Sequence, residues 1–190
     1  MLIIVSAPSG CGKTTMVRSV LKRDPDLVYS ISYTTRRPRS NERDGHDYHF
    51  VSRTVFEDMA RSGAFAEWAE VHGQCYGTSA RVIDDALRRG LDMIFDIDVQ
   101  GAMRLNEKCS DAVLVFVLPP SMDELRHRLL QRNTERPELV ERRLAASRHE
   151  MAQAWRYDYF IVNDDLEQAV EALHRVVLAE RLKRGGTISV

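Results

Sequence analysis

The stretch SAPSGCGKTT, residues 6–15, directly follows the short apolar run LIIVS at residues 2–6. An apolar run of this length before a glycine-rich turn is typical of a buried strand in a parallel sheet. Apolar residues at helical spacing follow the turn, so the stretch predicts a strand, a loop and a helix. It fits the pattern G-x-x-x-x-G-K-[ST] at every fixed position except the first, where Ala7 stands in place of glycine.

The pattern predicts a loop that binds phosphate, because backbone N–H groups converge there on anionic oxygens at the N-terminus of a helix. We expect Lys13 to reach the β- and γ-phosphates of a nucleoside triphosphate and Thr14 to hold Mg²⁺ through its hydroxyl. Only a positive φ demands glycine, so we expect a negative φ at Ala7. Gly10 and Gly12 then take the strained or close-approach positions.

Three further apolar runs, at residues 91–98, 111–120 and 157–165, predict buried strands. Because helical patterns alternate with them, the fold class is predicted as α/β, with a mostly parallel sheet covered by helices on both faces. Residues 32–79 break this rhythm, and we expect an inserted lobe of short strands and one small helix.

Two capping boxes place the start of a helix in the sequence. Thr54 and Glu57 predict the start of the small helix in the lobe, and Ser121 and Glu124 predict the start of a helix after the third run. The last helix is predicted to bury one apolar face, formed by Leu166, Ala169, Val170, Leu173, Val176 and Val177.

The composition is that of an ordinary globular protein, with 44% hydrophobic and 29% charged residues among 190. No apolar stretch approaches the length of a membrane span, and the first residues lack the pattern of an export signal, so we expect a cytoplasmic protein without a membrane partner. A net charge of −1 argues against a nucleic-acid partner. The three cysteines show no metal-ligand spacing, and no disulfide framework is expected.

Several motifs resemble the guanylate kinase family and run in family order over nearly the whole chain. They are SAPSGCGKTT at residues 6–15, SISYTTRRPR at 30–39 with DYHF at 47–50, EWAEVHGQCYGT at 67–78, DIDVQGA at 96–102, LPPS at 118–121 and YDYFIVNDDL at 157–166. The resemblance implies a P-loop nucleoside monophosphate kinase fold. It further implies a core of residues 1–31 and 80–190, a GMP-binding lobe of about 32–79 and a short lid of about 126–143.

The activity implied by the resemblance is transfer of the γ-phosphate of ATP to GMP, and also to dGMP, in purine nucleotide metabolism, with Mg²⁺ accompanying ATP. A homodimer or a higher homo-oligomer is compatible with it. The residues implied for ATP are Ser9, Gly10, Cys11, Gly12, Lys13, Thr14, Thr15, Arg132, Asn163 and Asp164. The catalytic residues implied are Lys13, Arg39, Arg128, Arg132 and Arg143. The metal is assigned to Thr14 and, through water, to Asp96.

For the acceptor, the resemblance implies contacts of GMP with Ser32, Arg36, Arg39, Tyr48, Glu67, Tyr76, Thr78, Asp96 and Asp98. The chemistry of the base fits two of these residues. Guanine offers donors at N1 and N2, which the Glu67 carboxylate can accept, and an acceptor at O6, to which Thr78 can donate. Adenine would leave a buried carboxylate unpaired, which can lower kcat/KM for that substrate roughly 10⁴-fold.

Phosphoryl transfer requires alignment and neutralisation of charge, and the GMP phosphate is already a nucleophile, so the sequence need not supply a strong general base. Closure of the lobe and lid is expected to exclude water. Three other functions share parts of the pattern. A kinase for a ribose bisphosphate should lack the Glu67/Thr78 pair, a scaffolding module without catalysis usually loses the loop lysine, and an RNA-binding protein would use residues 36–43.

Overall fold

The computed structural model of the protein describes residues 1–71, 73–131 and 137–185, with the backbone alone at 137 and 138. The strands in this part of the chain are Leu2–Ser6 (β1), Leu27–Tyr29 (β2), Tyr33–Thr34 (β3), His49–Phe50 (β4), Phe65–Val71 (β5), Gln74–Ser79 (β6), Asp92–Asp96 (β7), Val113–Leu118 (β8) and Tyr159–Val162 (β9). The α-helices are Lys13–Arg23 (α1), Arg53–Arg61 (α2), Ala80–Arg88 (α3), Val99–Lys108 (α4), Met122–Gln131 (α5), Pro137–Met151 (α6) and Leu166–Lys183 (α7).

A parallel sheet with the strand order β2-β7-β1-β8-β9 forms the centre of the fold. The four apolar runs of the sequence are β1, β7, β8 and β9, so their predicted strands and the α/β class are confirmed. The edge strand β2 has only three residues and was not predicted. Because β1 lies between β7 and β8, its carboxyl end and the loop after it sit at the middle of the sheet edge.

Alternate side chains of β1 point to opposite faces of this sheet. Ile3 and Val5 pack in one apolar cluster with residues of α1, α5, α6 and α7. Leu2 and Ile4 pack in a second cluster with residues of α3 and α4. The sheet is therefore buried on both faces, as continuous apolar strands require.

A second, smaller sheet has the order β4-β3-β6-β5. It is mixed, since β3 is parallel to β4 but β6 is antiparallel to both β3 and β5. The aromatic rings of Phe56 from α2 and Phe65 from β5 pack 4.6 Å apart beside Cys75, and they form a small core of their own.

The helix ends confirm one capping prediction and correct another. Ser121 Oγ accepts a 3.0 Å hydrogen bond from the Glu124 N–H, as predicted. The small helix α2 instead begins after Ser52, whose hydroxyl accepts from the Val55 N–H, so the prediction that Thr54 caps it is wrong. On α7, Leu166 is 41% exposed and does not share the buried face of Ala169, Val170, Leu173 and Val177. None of the helices in the described part of the chain is long and apolar enough to cross a membrane.

Candidate active site

A cleft of about 710 Å³ opens at the carboxyl edge of the central sheet, where β1 and β7 end. Residues of the loop after β1, of α1, of the second sheet and of the segment after β7 line it. Ligands of open parallel sheets bind at this edge, and the volume suits a small molecule. The predicted residues that line the cleft are Ser9, Gly10, Cys11, Gly12, Lys13, Thr14, Thr15, Ser32, Arg36, Arg39, Tyr48, Glu67, Tyr76, Asp96, Asp98 and Arg143.

The phosphate loop takes the backbone conformation predicted for its two later glycines. Gly10 has a φ of 98°, and Gly12, at the N-cap of α1, has a φ of 80°. A Cβ at Gly12 would also lie 2.6 Å from Asn163 Nδ2, so both conformation and space require glycine there. The helix that follows presents its N-terminal N–H groups and the positive end of its dipole to the cleft.

Lys13 is held at the bottom of the cleft by two oxygens. Its Nζ lies 2.7 Å from Asp96 Oδ1 at the end of β7 and donates a 2.6 Å hydrogen bond to the Ile97 carbonyl. The other carboxylate oxygen, Asp96 Oδ2, is buried and has no hydrogen-bond partner among the residues that the structure describes. Asp98, two residues on, caps α4 by accepting from the N–H groups of Gln100 and Gly101.

Glu67 and Thr78 face each other on the paired strands β5 and β6. Thr78 Oγ1 donates a 2.6 Å hydrogen bond to Glu67 Oε1, and both residues are buried. Burial raises the pKa of the Glu67 carboxyl to about 7, against the opposing effect of the Thr78 hydrogen bond. A buried carboxylate with one oxygen already paired can accept further hydrogen bonds only from a donor that enters the cleft.

Arg36 and Arg39, from the loop between β3 and β4, line the same cleft as Glu67. Glu42 accepts two 2.9 Å hydrogen bonds from the Arg36 guanidinium and one of 2.7 Å from the Arg39 N–H. Arg36 also lies over the ring of Tyr48, 5.4 Å from its centroid. The rings of Tyr48 and Tyr76 meet edge to face at 6.0 Å, and burial raises the pKa of Tyr48, so its hydroxyl stays protonated.

Some predicted site residues do not line the cleft, and one of them is Thr78, which is fully buried. Arg128 donates a 2.7 Å hydrogen bond to Glu124 and a 3.0 Å hydrogen bond to the Asn163 carbonyl. The Asn163 side chain is buried and donates to the Cys11 carbonyl, and Asp164 is exposed. Arg132 lies outside the described residues, as does residue 72 of the EWAEVHGQCYGT motif.

Other residues at the cleft were not assigned a role from the sequence. Glu42 lies in the arginine-rich segment between Arg36 and Arg43, and the nearby arginines are the signal that could have indicated it. Glu150 reaches the cleft from α6, and burial, followed by the charge of Asp98, raises its pKa to about 7. Arg18 of α1 pairs with Asp47 of the second-sheet segment. The positions of Glu150 and of the Arg18–Asp47 pair depend on segments that are far apart in the chain, so no local pattern in the sequence marks them.

Together, a glycine-rich loop at a helix N-terminus, a half-buried lysine paired with a buried carboxylate and a second polar site in one cleft define a P-loop nucleoside monophosphate kinase. The comparisons agree with this class. The guanylate kinase family model matches residues 1–180. The guanylate kinase of Syntrophotalea carbinolica is 49% identical over 180 residues, covering 95% of this chain and 86% of the relative. That of Myxococcus xanthus is 50% identical over 185 residues, covering 97% and 88%.

A solved structure supports the same assignment. The crystal structure of guanylate kinase from Anaplasma phagocytophilum matches with a TM-score of 0.80 and 32% identity, covering 95% of this chain and 85% of that one. The chain belongs to the guanylate kinase family, and it is a kinase.

Proposed function

We propose that the cleft binds ATP and GMP side by side, with the phosphate loop on the donor side and the Glu67/Thr78 pair on the acceptor side. The reaction that family membership gives is the ATP-dependent phosphorylation of GMP to GDP. The observation that carries this division is that Lys13, at the start of α1, and Glu67, on β5 of the second sheet, line one cleft. We extend the acceptors to dGMP and place the reaction in purine nucleotide metabolism.

On the donor side, the N–H groups of residues 9–15 would contact the phosphates of ATP, and Lys13 would lie against the β- and γ-phosphates. The salt bridge to Asp96 holds the ammonium group of Lys13 at the loop, and we propose that the phosphate to be transferred meets it there. Arg143 lines the same cleft from α6. We propose that it neutralises charge on the transferred group, with Arg132 and Arg128 as further cations of the lid.

On the acceptor side, we propose that Arg36, Arg39, Tyr48 and Tyr76 bind the GMP phosphate, with Ser32 beside them, and that Glu67 accepts from guanine N1 and N2. Glu42 holds Arg36 in place by two parallel hydrogen bonds, a geometry that also suits a phosphate. The Thr78 hydroxyl, which the sequence led us to expect as a donor to guanine O6, donates to Glu67 instead, and we propose that it orients that carboxylate. Asp98 lies beside the Glu67 site at the start of α4.

The residues at the loop fit a magnesium ion. Mg²⁺ prefers oxygen ligands and is usually held by one or two protein oxygens together with substrate phosphates. The Thr14 hydroxyl at the start of α1 and the unpartnered Asp96 Oδ2 are such oxygens. We propose that Thr14 holds the ion directly and Asp96 through water; bound there, Mg²⁺ would neutralise charge on the phosphates.

The residues of the chain would then act by alignment and by charge. The acceptor oxygen is a phosphate oxygen of GMP, which needs no deprotonation by the protein. Lys13 and the arginines would stabilise charge on the transferred group. Water would be excluded when a lobe of about 32–79 and a lid of about 126–143 close over the core of 1–31 and 80–190.

The test is an assay of ADP release with ATP and one acceptor at a time: GMP, AMP, UMP or CMP. We expect GMP to exceed AMP in kcat/KM by roughly 10⁴-fold, because AMP would leave the Glu67 carboxylate unpaired. The Glu67→Gln enzyme should lose most of this preference, while its KM for ATP should stay unchanged. Equal rates with AMP and GMP in the wild-type enzyme would overturn the assignment of the acceptor site.

A further inference from the structure

Helix α4 lies along the free edge of the strand that carries Glu67. β5 is an edge strand of the second sheet, paired on one side only, with β6. Gly101, Arg104 and Lys108 follow one another at i, i+3 and i+7, so they share one face of α4. All three contact β5.

The carbonyl groups of the two residues on either side of Glu67 accept hydrogen bonds from cations of this helix. Lys108 Nζ donates to the carbonyl of Ala66, and Arg104 Nη1 donates to the carbonyl of Trp68. Carbonyls two residues apart in a strand point the same way, and at a sheet edge no neighbouring strand pairs with them. Arg104 and Lys108 therefore take the place of a neighbouring strand on both sides of Glu67.

Gly101 limits the position of the Glu67 carboxylate itself. A Cβ at Gly101 would lie 2.6 Å from Glu67 Oε2 and 3.1 Å from Asp98 Oδ1. The carboxylate is thus confined between the Thr78 hydroxyl on one side and the backbone of α4 on the other. A methyl group at position 101 would force it to move.

The same helix sets the charge around Glu67. The charged groups with the main effect on its carboxyl lie on α4 or at its N-cap: Asp98 raises its pKa, and Arg104 and Lys108 lower it. Burial is the larger effect and raises the pKa. Loss of either cation would therefore favour the protonated form of Glu67.

We propose that Gly101, Arg104 and Lys108 are positioning residues. They set guanine selectivity by holding β5 and the Glu67 carboxylate in the position from which that carboxylate contacts the acceptor base. They touch neither nucleotide in this proposal and act through the backbone of β5 and through Glu67. The inference depends on the proposed role of Glu67 as the guanine reader. It explains why two exposed cations of α4 are directed at main-chain carbonyls rather than at acidic side chains.

The test compares GMP with inosine 5′-monophosphate, which carries the same phosphate but lacks the 2-amino group. The variants are Arg104→Met, Lys108→Met and their double variant, with Arg104→Lys and Lys108→Arg as conservative partners and Arg89→Met, an exposed arginine at the end of α3, as the matched control. KM and kcat for both nucleotides and for ATP are measured between pH 6 and pH 8.5, beside the melting temperature of each variant.

We expect each methionine variant to raise KM for GMP roughly 5- to 20-fold, to lower the GMP preference over inosine 5′-monophosphate, and to leave kcat and KM for ATP near the wild-type values. In the wild-type enzyme the preference should fall as pH drops through about 7, when Glu67 becomes protonated. In the double variant this fall should begin at higher pH, while the conservative variants should keep the wild-type midpoint. Gly101→Ala should lose the preference at every pH.

The outcomes separate the inference from the proposed function. If Glu67→Gln lowers the preference but the methionine variants keep it with an unshifted midpoint, the inference is wrong and Glu67 remains the reader. If Glu67→Gln itself leaves the preference unchanged, the assignment of Glu67 is wrong. A variant that only loosened the fold would lower the melting temperature without moving the pH midpoint, and that result would also contradict the inference.

Discussion

The side-chain amide of Asn163 donates a 2.7 Å hydrogen bond to the main-chain carbonyl of Cys11, which lies 152 residues earlier in the chain. Asn163 is itself fixed, because its N–H donates to the Leu118 carbonyl at 2.8 Å and its own carbonyl accepts from Arg128. The turn after β9 therefore supports the phosphate loop through this hydrogen bond. Removing the bond tests whether the loop keeps its conformation without it.

We expect Asn163→Ala to raise KM for ATP by roughly tenfold and to lower the free energy of unfolding by about 1–2 kcal/mol, because the buried Cys11 carbonyl loses its donor. KM for GMP should not change, since the acceptor site is elsewhere in the cleft. Steady-state kinetics and urea unfolding measure both effects. Asn106→Ala on α4 is the control, and an unchanged KM for ATP in Asn163→Ala would show that the loop holds its shape without this bond.

Gly12→Ala should damage the loop more severely than its backbone conformation alone explains. A left-handed φ costs an alanine about 1–2 kcal/mol, and here the new methyl group would also meet the Asn163 amide. Gly90 is a matched control, because its φ is +67° and nothing lies within 4 Å of an added Cβ. We expect kcat/KM for ATP to fall more than roughly 100-fold in Gly12→Ala, because contacts with the phosphates are lost. In Gly90→Ala it should stay unchanged. Equal activity in the two variants would contradict this prediction.

Lys13→Met should abolish turnover while GMP still binds. We expect kcat to fall by roughly 10³-fold or more, because the cation that meets the transferred phosphate is lost. The variant also leaves the buried Asp96 carboxylate without its partner, which should cost about 3–5 kcal/mol of stability. Both a calorimetric titration with GMP and an ADP-release assay are run about 10 °C below the melting onset of the variant. Together they distinguish loss of catalysis from loss of the fold. A near-normal kcat in the folded variant would refute the role of Lys13.

The stability of the free enzyme should depend on the protonation of Glu67. Its carboxyl has a pKa of about 7 in the folded protein against 4.5 as the ordinary value, so the folded state binds the proton more tightly. The resulting stabilisation is complete below pH 4.5 and is lost as pH rises to about 7. Relative to Glu67→Gln, the wild-type enzyme should therefore lose up to about 3 kcal/mol between pH 5 and pH 8. Urea unfolding of both proteins at the two pH values measures this, and a constant difference would mean that the pKa of Glu67 is the same in the folded and unfolded states.

The central sheet could be predicted because each long strand is an unbroken apolar run. β8, for example, consists entirely of Val, Leu and Phe. β2 was not predicted, because a strand of three residues shortly after Pro25 is too short to show a periodic pattern. The start of α2 was misplaced because Ser52 and Thr54 are both able to cap a helix, and only the extended backbone at Ser52, with φ −68° and ψ 158°, decides between them.

The residues of the candidate site likewise include some that the sequence predicts and some that it does not. Lys13 and Gly12 belong to a contiguous motif whose geometry is local, so the sequence located them. Glu67 and Thr78 could be named from the family resemblance, but the hydrogen bond between them depends on the register of β5 with β6. Glu150 could not be found, because its position at the cleft depends on how α6 packs against the sheet, and no local pattern encodes that packing.

The ion pairs of the cleft determine how it responds to dissolved ions. Lys13 is paired with Asp96, Arg36 with Glu42, and Arg18 with Asp47. A nucleotide phosphate that contacts any of these cations must compete with a carboxylate of the protein, so binding exchanges one counter-ion for another. A chloride ion or a singly charged phosphate ester has too little charge to win that exchange, whereas the several charges of a nucleotide act together. We therefore expect common small anions to compete weakly for the cleft, and we expect the affinity for nucleotides to fall less steeply with ionic strength than the number of arginines would suggest.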